Sequence, residues 1–233
     1  MKQRSFQHIS IIIPVLNEET HIGSLLQHLK AQSLNFVKEI IVVDGGSSDN
    51  TVTVALNHGV SVLHSNKGRA KQMNFGAKHA TGEVLYFLHA DTFPPRNFDK
   101  RIAEAVQNGL EAGCFRMKFD HKSRFLRFFS WFSRINYRIC RGGDQSLFIT
   151  AKLFEEASGF NEEYVIYEDN EFIGRLYKMT VFTILPQHVR TSARKYEKMG
   201  LVKLQYHFGI IHLKNFLGAG PEQLYQYYRR NIL

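Results

Sequence analysis

Glu83-Val84-Leu85-Tyr86-Phe87-Leu88-His89-Ala90-Asp91-Thr92-Phe93-Pro94-Pro95 is an apolar run of strand length that stops on a carboxylate. The two prolines forbid the strand to continue and suit the first turn of a new helix. In an open α/β sheet, ligands collect outside the carboxyl ends of the strands. An Asp in that position beside a His can hold a metal ion or a metal-bound phosphate. Whether the chain builds such a sheet is decided by its neighbours.

Upstream, Ser10–Val15 is a β-branched run expected of a strand buried on both faces. Asn17-Glu18-Glu19-Thr20 opens a helix with acids in its first turn, and Ile22, Leu25, Leu26 and Leu29 keep one face apolar. Glu39–Asp44 is a second strand ending on a carboxylate, followed by Gly45-Gly46-Ser47-Ser48-Asp49 as a turn. Gly59–Leu63 is a third strand, Lys67–Ala80 a helix, and the run ending at Asp91 the fourth strand. This βαβαβαβ order predicts a parallel sheet wrapped by helices. Neither a G-x-G-x-x-G nor a P-loop pattern is present, which argues against an ordinary dinucleotide or NTPase site.

Downstream, the pattern predicts a helix from Pro95 to Asn108 and a strand over Gly113–Phe119 with one basic face. A Gly142–Gln145 loop, a strand over Ser146–Thr150 and a short helix over Ala151–Ala157 follow. The acidic stretch Asn161–Glu171 enters a helix running to Lys178, then a strand over Val181–Leu185 and a mostly helical remainder.

With 233 residues the chain suits one large domain or a domain with an appendage, able to bury roughly 70% of its unfolded surface without a staple. Cys114 and Cys140 lack metal-type spacing and suit a reducing compartment. Met1–Phe6 running directly into a strand is not the pattern of a signal peptide, and no window reaches 18 uncharged apolar residues. A cytoplasmic protein is expected. The net charge of +9 is uneven. Residues 1–120 hold 13 Lys+Arg against 11 Asp+Glu, and residues 121–233 hold 17 against 10, so +2 and +7. A basic half attracts phosphates: nucleic acid, anionic lipid or an anionic substrate.

Four blocks carry a resemblance: Ile13-Pro14-Val15-Leu16-Asn17-Glu18-Glu19, Val42-Val43-Asp44-Gly45-Gly46-Ser47-Ser48-Asp49-Asn50-Thr51, His89-Ala90-Asp91 and Glu168-Asp169. Their order and spacing over residues 8–185 resemble the family 2 glycosyltransferases. A compact bacterial subgroup with a Gly-Gly-Asp-Gln loop and a basic C-terminal motif is similar too. The resemblance implies a GT-A (Rossmann-like) α/β fold: a mixed, mostly parallel sheet flanked by helices, with a C-terminal helical extension. It implies one domain over 1–233, with a nucleotide-binding half (1–95), an acceptor and catalytic half (96–196) and the extension (197–233).

The expected chemistry is an inverting sugar transfer from a UDP- or GDP-sugar, and physical reasoning agrees residue by residue. Asp44, at a strand end before two glycines, can accept a hydrogen bond from a base or ribose, or simply form the turn. By resemblance Pro14, Asn17 and Glu18 wall the same pocket, and Arg69, Asn74 and Ala90 lie on the nucleotide side. Lys67 and Arg69 at a helix start favour an anion. Asp91 stands for the last acid of the family's Asp-x-Asp motif and would ligate Mg²⁺ or Mn²⁺ on the diphosphate. The first acid is replaced by His89, which either ligates as well or, the simpler reading, only orients Asp91. Asp169 is expected to take the proton of the acceptor hydroxyl, with Glu168 beside it and Asp144 approaching donor sugar and acceptor. Arg194 and Lys195, in the stretch Ser192-Ala193-Arg194-Lys195-Tyr196, would close over the diphosphate like a lid.

At 100° per residue, Phe125, Phe128, Phe129, Phe132, Ile135 and Ile139 share one arc of a helix over Arg124–Arg141, with Arg127, Arg134, Arg138 and Arg141 opposite. That is the pattern of a helix lying on a membrane. It equally suits a helix packed on the sheet. Leu201–Leu217 is a second broadly apolar helix, and the pair suits either a peripheral enzyme with a lipid-linked acceptor or a homodimer interface. Two other readings compete. A sugar-phosphate nucleotidyltransferase wants a Gly-rich loop with a cation after the first strand, where this chain has Pro14-Val15-Leu16-Asn17. A basic lipid- or nucleic-acid-binding module does not require carboxylates at three loop positions, and no nucleic-acid partner is expected.

Overall fold

The computed structural model describes residues 8–233; the expectation for Met1–Phe6 lies outside them. In chain order the elements are β1 (Ile9–Val15), α1 (Glu19–Gln32), β2 (Val37–Asp44), α2 (Thr51–Asn57), β3 (Ser61–His64), α3 (Arg69–His79), β4 (Val84–Phe87) and β5 (Thr92–Phe93). There follow α4 (Phe98–Gln107), β6 (Ala112–Phe119), α5 (Arg124–Trp131), β7 (Leu147–Thr150), α6 (Ala151–Glu156), α7 (Glu168–Met179) and β8 (Phe182–Thr191). Three helices close the chain: α8 (Arg194–Met199), α9 (Leu201–Phe216) and α10 (Pro221–Asn231).

One sheet of eight strands runs in the order β3-β2-β1-β4-β7-β6-β8-β5. The pairs among β1, β2, β3 and β4 are parallel, β7 is antiparallel to both neighbours, β6 and β8 are parallel, and β5 is antiparallel to β8. Six strands therefore point one way, and only β5 and β7 are reversed. The carboxyl ends of β1, β2, β4 and β8 and the entry to β7 meet at one edge, where a doubly wound sheet binds its ligand. The mixed, mostly parallel sheet matches the expectation.

Residue alternation explains the layering. Ile11 and Ile13 of β1 face α1 and α4, packing with Leu25, Leu29, Phe98 and Ile102. Ile12 between them faces the other way, into a cluster with Met73 of α3 and Phe172 and Leu176 of α7. Helix α3 lies close because Gly76 has no side chain: a Cβ there would stand 2.6 Å from Ile12 Cγ2 and 2.9 Å from Val43 Cγ2. A third cluster, Leu126, Tyr196, Leu204, Ile211 and Leu224, joins α5 to the C-terminal helices.

Several boundaries differ from the sequence expectation. The fourth strand ends at Phe87 rather than Asp91, which lies on the turn before β5. The helix after Pro94-Pro95 starts only at Phe98, behind Asn97 in a left-handed conformation (φ 56°). Strand β8 continues to Thr191, because β6 runs parallel to it as far as Phe119.

The largest correction concerns Arg124–Arg141. The helix ends at Trp131, and two short 3₁₀ turns carry the chain on. Ser133 is the reason for one departure: its hydroxyl accepts from the Met117 N–H along the free edge of β6. Arg141, assigned to an outward arc, is buried; its guanidinium donates to Gln145 Oε1 (2.6 Å) and to the carbonyls of Ser133 (2.9 Å) and Ile135 (2.6 Å). In α9, Lys214 lies over the Tyr227 ring and His207 bonds the Tyr227 hydroxyl.

Candidate functional site

The site is assembled from loops at the common sheet edge. After β2, the buried Asp44 carboxylate accepts the N–H groups of Gly46 (3.0 Å) and Ser47 (3.1 Å), with His64 Nδ1 at 3.4 Å. Burial works against its charge, but these donors outweigh it and hold the carboxyl below its ordinary range. Asp44 thus shapes its own turn, and Gly46 supplies the required positive φ of 95°.

After β1, Asn17 adopts a left-handed backbone (φ 55°) and accepts from the Ser48 N–H (2.8 Å), while its own N–H donates to Ser47 Oγ (2.9 Å). These bonds lock the first two loops together. Beneath them the buried Gln72 amide donates to the carbonyls of Val15 (2.8 Å) and Val43 (2.7 Å), at the carboxyl ends of two strands. Gln72 was missed from sequence; its signal was a polar residue between Ala70 and Met73 on the inward face of α3.

Beside these loops lies a cleft of about 580 Å³, walled by Pro14, Glu18, Arg69, Gln72, Glu162 and Tyr164 among others. A shallower hollow of about 440 Å³ around Leu34, Lys38 and Val60 sits at the opposite end of the strands.

The other half of the site is acidic. Tyr167 takes a left-handed conformation (φ 71°), an unusual one for a bulky residue, and delivers Glu168 and Asp169 into the first turn of α7, where both are buried. Arg69 Nη1 stands 3.4 Å from Glu168 Oε1. Burial opposes the Arg69 charge, but Glu168, Asp169 and Asp144 outweigh it and raise its pKa. Asp169 is pushed well above the usual carboxylate value by burial and by Glu168, against the pull of Arg69. Asp144 is also raised, by crowding in the cleft and by Asp91, although 54% of its side chain is exposed; the effect is therefore weaker than at the enclosed Asp169.

His89 does not orient Asp91. Its Nε2 lies 3.7 Å from Asp169 Oδ2 and its Nδ1 3.8 Å from Asp144 Oδ1. Burial and Arg69 push its pKa down to about 3, so the ring is neutral and sits between the two acids. Asp91 is instead met by Arg194, whose Nη2 is 3.3 Å away. The same guanidinium donates to both oxygens of Glu18, at 2.9 and 2.6 Å. Burial raises Asp91 more than Arg194 lowers it.

Three residues expected at the nucleotide are engaged elsewhere. Asn74 bonds the carbonyl and N–H of Phe160 (2.9 Å each) and Glu162, tying α3 to the segment ahead of α7. Lys195 points into the C-terminal helices, against the hydroxyl and ring of Tyr228. Ala90 is packed in the core, so only its backbone faces the loop.

Asp91, Asp144 and Asp169 all hold protons more tightly than free carboxyls. Burial is the largest cause at each, with neighbouring carboxylates adding to it, and a cation bound beside them would offset both. Among the described residues no group of three or more His, Cys, Asp or Glu encloses an ion site. One or two hard oxygens therefore fit Mg²⁺ or Mn²⁺ carried on phosphates, not a cage made by protein alone.

The model of the family described as "Glycosyl transferase family 2" matches residues 10–158. The undecaprenyl-phosphate 4-deoxy-4-formamido-L-arabinose transferase of Edwardsiella ictaluri is 30% identical over 150 residues, 60% of this chain and 44% of that protein. The chain spans less than half the length of the curated relatives it matches first. Among solved structures, residues 1–349 of S. aureus TarS in complex with UDP align with a TM-score of 0.67 at 20% identity, covering 84% of this chain and 64% of that one. A mannosyltransferase of Pyrobaculum calidifontis in complex with GDP-Man and Mn²⁺ aligns with a TM-score of 0.67 at 18% identity, covering 97% and 70%. At these identities the two structures establish the shared fold.

Proposed function

The chain belongs to glycosyl transferase family 2, and from that premise we propose that it is an inverting enzyme that moves a sugar from a UDP- or GDP-sugar to a membrane-linked acceptor. The observation that carries the reading is Asp169. It is a buried carboxylate in the first turn of α7, with a raised pKa, set between Glu168, Arg69 and His89. A base must take the acceptor's proton as the sugar is displaced in line, and a raised carboxyl does so more effectively near neutral pH. The neutral His89 ring lies between Asp169 and Asp144, 3.7 and 3.8 Å from their nearest oxygens.

The nucleotide would occupy the cleft between the Pro14–Glu18 loop and the start of α3, with the Asp44 turn packed behind that loop through the Asn17 bonds to Ser47 and Ser48. Arg69, which lines that cleft, and Arg194 would meet its phosphates. Asp91 would hold Mg²⁺ or Mn²⁺; when bound, such an ion neutralises charge on the leaving diphosphate. Relatives and neighbours support this assignment through their names: a transferase for undecaprenyl-phosphate, a UDP complex, and a GDP-Man complex with Mn²⁺. Among the described residues no helix is long and apolar enough to cross a membrane.

A thermal-shift panel of nucleoside diphosphates and their sugars, each with Mg²⁺ or Mn²⁺, tests the donor class. A ligand at 100 times its dissociation constant stabilises the fold by about 2.7 kcal/mol. Stabilisation by one nucleotide series, lost in part when the metal is withheld, supports the reading. No shift with any of them contradicts it.

A further inference from the structure

We infer that the segment 122–139 is a docking surface for an anionic lipid bilayer. It carries five large apolar side chains turned to solvent within twelve residues: Phe128 (59% exposed), Trp131 (51%), Ile135 (39%), Tyr137 (66%) and Ile139 (64%). Trp131 is the only tryptophan of the chain. Interleaved with them, Arg124, Arg127, Arg134 and Arg138 are exposed and form no ion pair with a carboxylate among the described residues. From His121 to Gly143 there is no Asp or Glu at all.

Either feature alone is ordinary; together they specify the occupant. Exposed aromatics in this density need a partner. Rings with a polar edge settle at the headgroup boundary of a membrane, and arginines among them match anionic headgroups. A protein partner that covered the aromatics would have to neutralise every arginine as well. The broken helix serves the same surface. Leu126 and Phe125 pack inward against the C-terminal helices, which leaves Phe128 and Trp131 to project outward. The 3₁₀ turns then keep Ile135 and Ile139 exposed, which a continuous helix packed on the sheet by its aromatic arc would not.

The surface is joined rigidly to the site. The Arg141 guanidinium ties the carbonyls of Ser133 and Ile135 to Gln145, next to Asp144. The Arg141 carbonyl accepts from the amide of Asn170, next to Asp169 (2.7 Å). A bilayer held at 122–139 therefore lies beside the loop and helix start that carry both acids. Docking is independent of the chemistry proposed above, since its readout is binding and not turnover.

Trp131 is a built-in probe. The full chain is mixed with vesicles of phosphatidylcholine alone or with added phosphatidylglycerol, at low and high salt, some with acyl chains brominated. The expected result is co-sedimentation with phosphatidylglycerol vesicles, weakened by salt, with a blue-shifted Trp131 emission quenched by the bromine. The double variants F128S/I139S and R124E/R127E should each bind about tenfold more weakly or worse, with unchanged melting and unchanged nucleotide-induced thermal shift. Three results would overturn the inference. One is no binding with unaltered emission. Another is a blue shift that grows with protein concentration without lipid, the mark of a second copy. The third is binding to a soluble polyanion such as RNA while bromolipid leaves the emission unquenched. A failed nucleotide panel with intact vesicle binding would instead count against the donor assignment alone.

Discussion

Arg194 Nη2 stands 3.3 Å from Asp91 Oδ2, across a gap of more than a hundred residues in sequence. The guanidinium that grips Glu18 with two hydrogen bonds thus also covers the carboxylate expected to hold a metal. Arg194→Gln frees Glu18 and Asp91 but removes a cation from the phosphate side. Nucleoside diphosphate binding should weaken about tenfold, or ~1.4 kcal/mol, while Mn²⁺ binding without nucleotide should strengthen. Calorimetric titration of each ligand separates the two effects.

Asp169 sets a pH dependence. Its folded pKa is raised, so the folded chain holds that proton more tightly than the unfolded chain does. The fold gains from protonation as pH falls from the raised value towards 3.8, and ionised Asp169 destabilises it above that window. Asp169→Asn, uncharged throughout, should melt higher than the parent at pH 7.5. The gap should narrow steadily as pH falls towards 3.8, as read by thermal denaturation.

His89 slopes the other way. Its folded pKa of about 3 lies below the ordinary 6.5, so unfolded chains take up a proton first as pH falls. The stability it contributes is complete above pH 6.5 and is lost progressively as pH drops towards 3. His89→Gln should lose less stability between pH 7.5 and 5.0 than the parent. Equal losses would mean that His89 is charged in the fold.

Arg141 is buried without a carboxylate, held by three carbonyl-type oxygens and the Cys114 sulfur. Arg141→Met leaves those oxygens unpaired, which should lower stability by about 2–3 kcal/mol. Because the same contacts carry the Asp144 loop, turnover should fall further than stability explains. Chemical denaturation paired with an activity assay checks both.

Gly76→Ala tests the packing of α3. The added methyl would meet Ile12 and Val43 at under 3 Å, and both are core atoms that cannot retreat. A loss of about 1–3 kcal/mol is expected in denaturant unfolding.

The sheet was legible because buried strands and one-sided helices write their periods directly: Ile11–Ile13 and Ile22–Leu29 fall where the pattern puts them. Asp91, Asp144 and Asp169 could be named in advance from the blocks around them. Their partners could not. The closure of Arg194 on Glu18 depends on how β8 ends, and the bridge from His89 to Asp169 on a left-handed Tyr167 that no local preference announces. Arg141 misled for a similar reason: an arginine in helical phase reads as exposed, and only the Gln145 amide and the carbonyls of Ser133 and Ile135 draw it inward.

The most direct test is Asp169→Asn, assayed with the nucleotide-sugar that stabilises the protein and with a bacterial membrane lipid extract as acceptor source. Donor binding and nucleoside diphosphate release are measured together on parent and variant. The account predicts binding preserved within about twofold and release slowed about 10²–10⁴-fold, the usual contribution of a general base. Release at the parent rate, with binding intact, would contradict it.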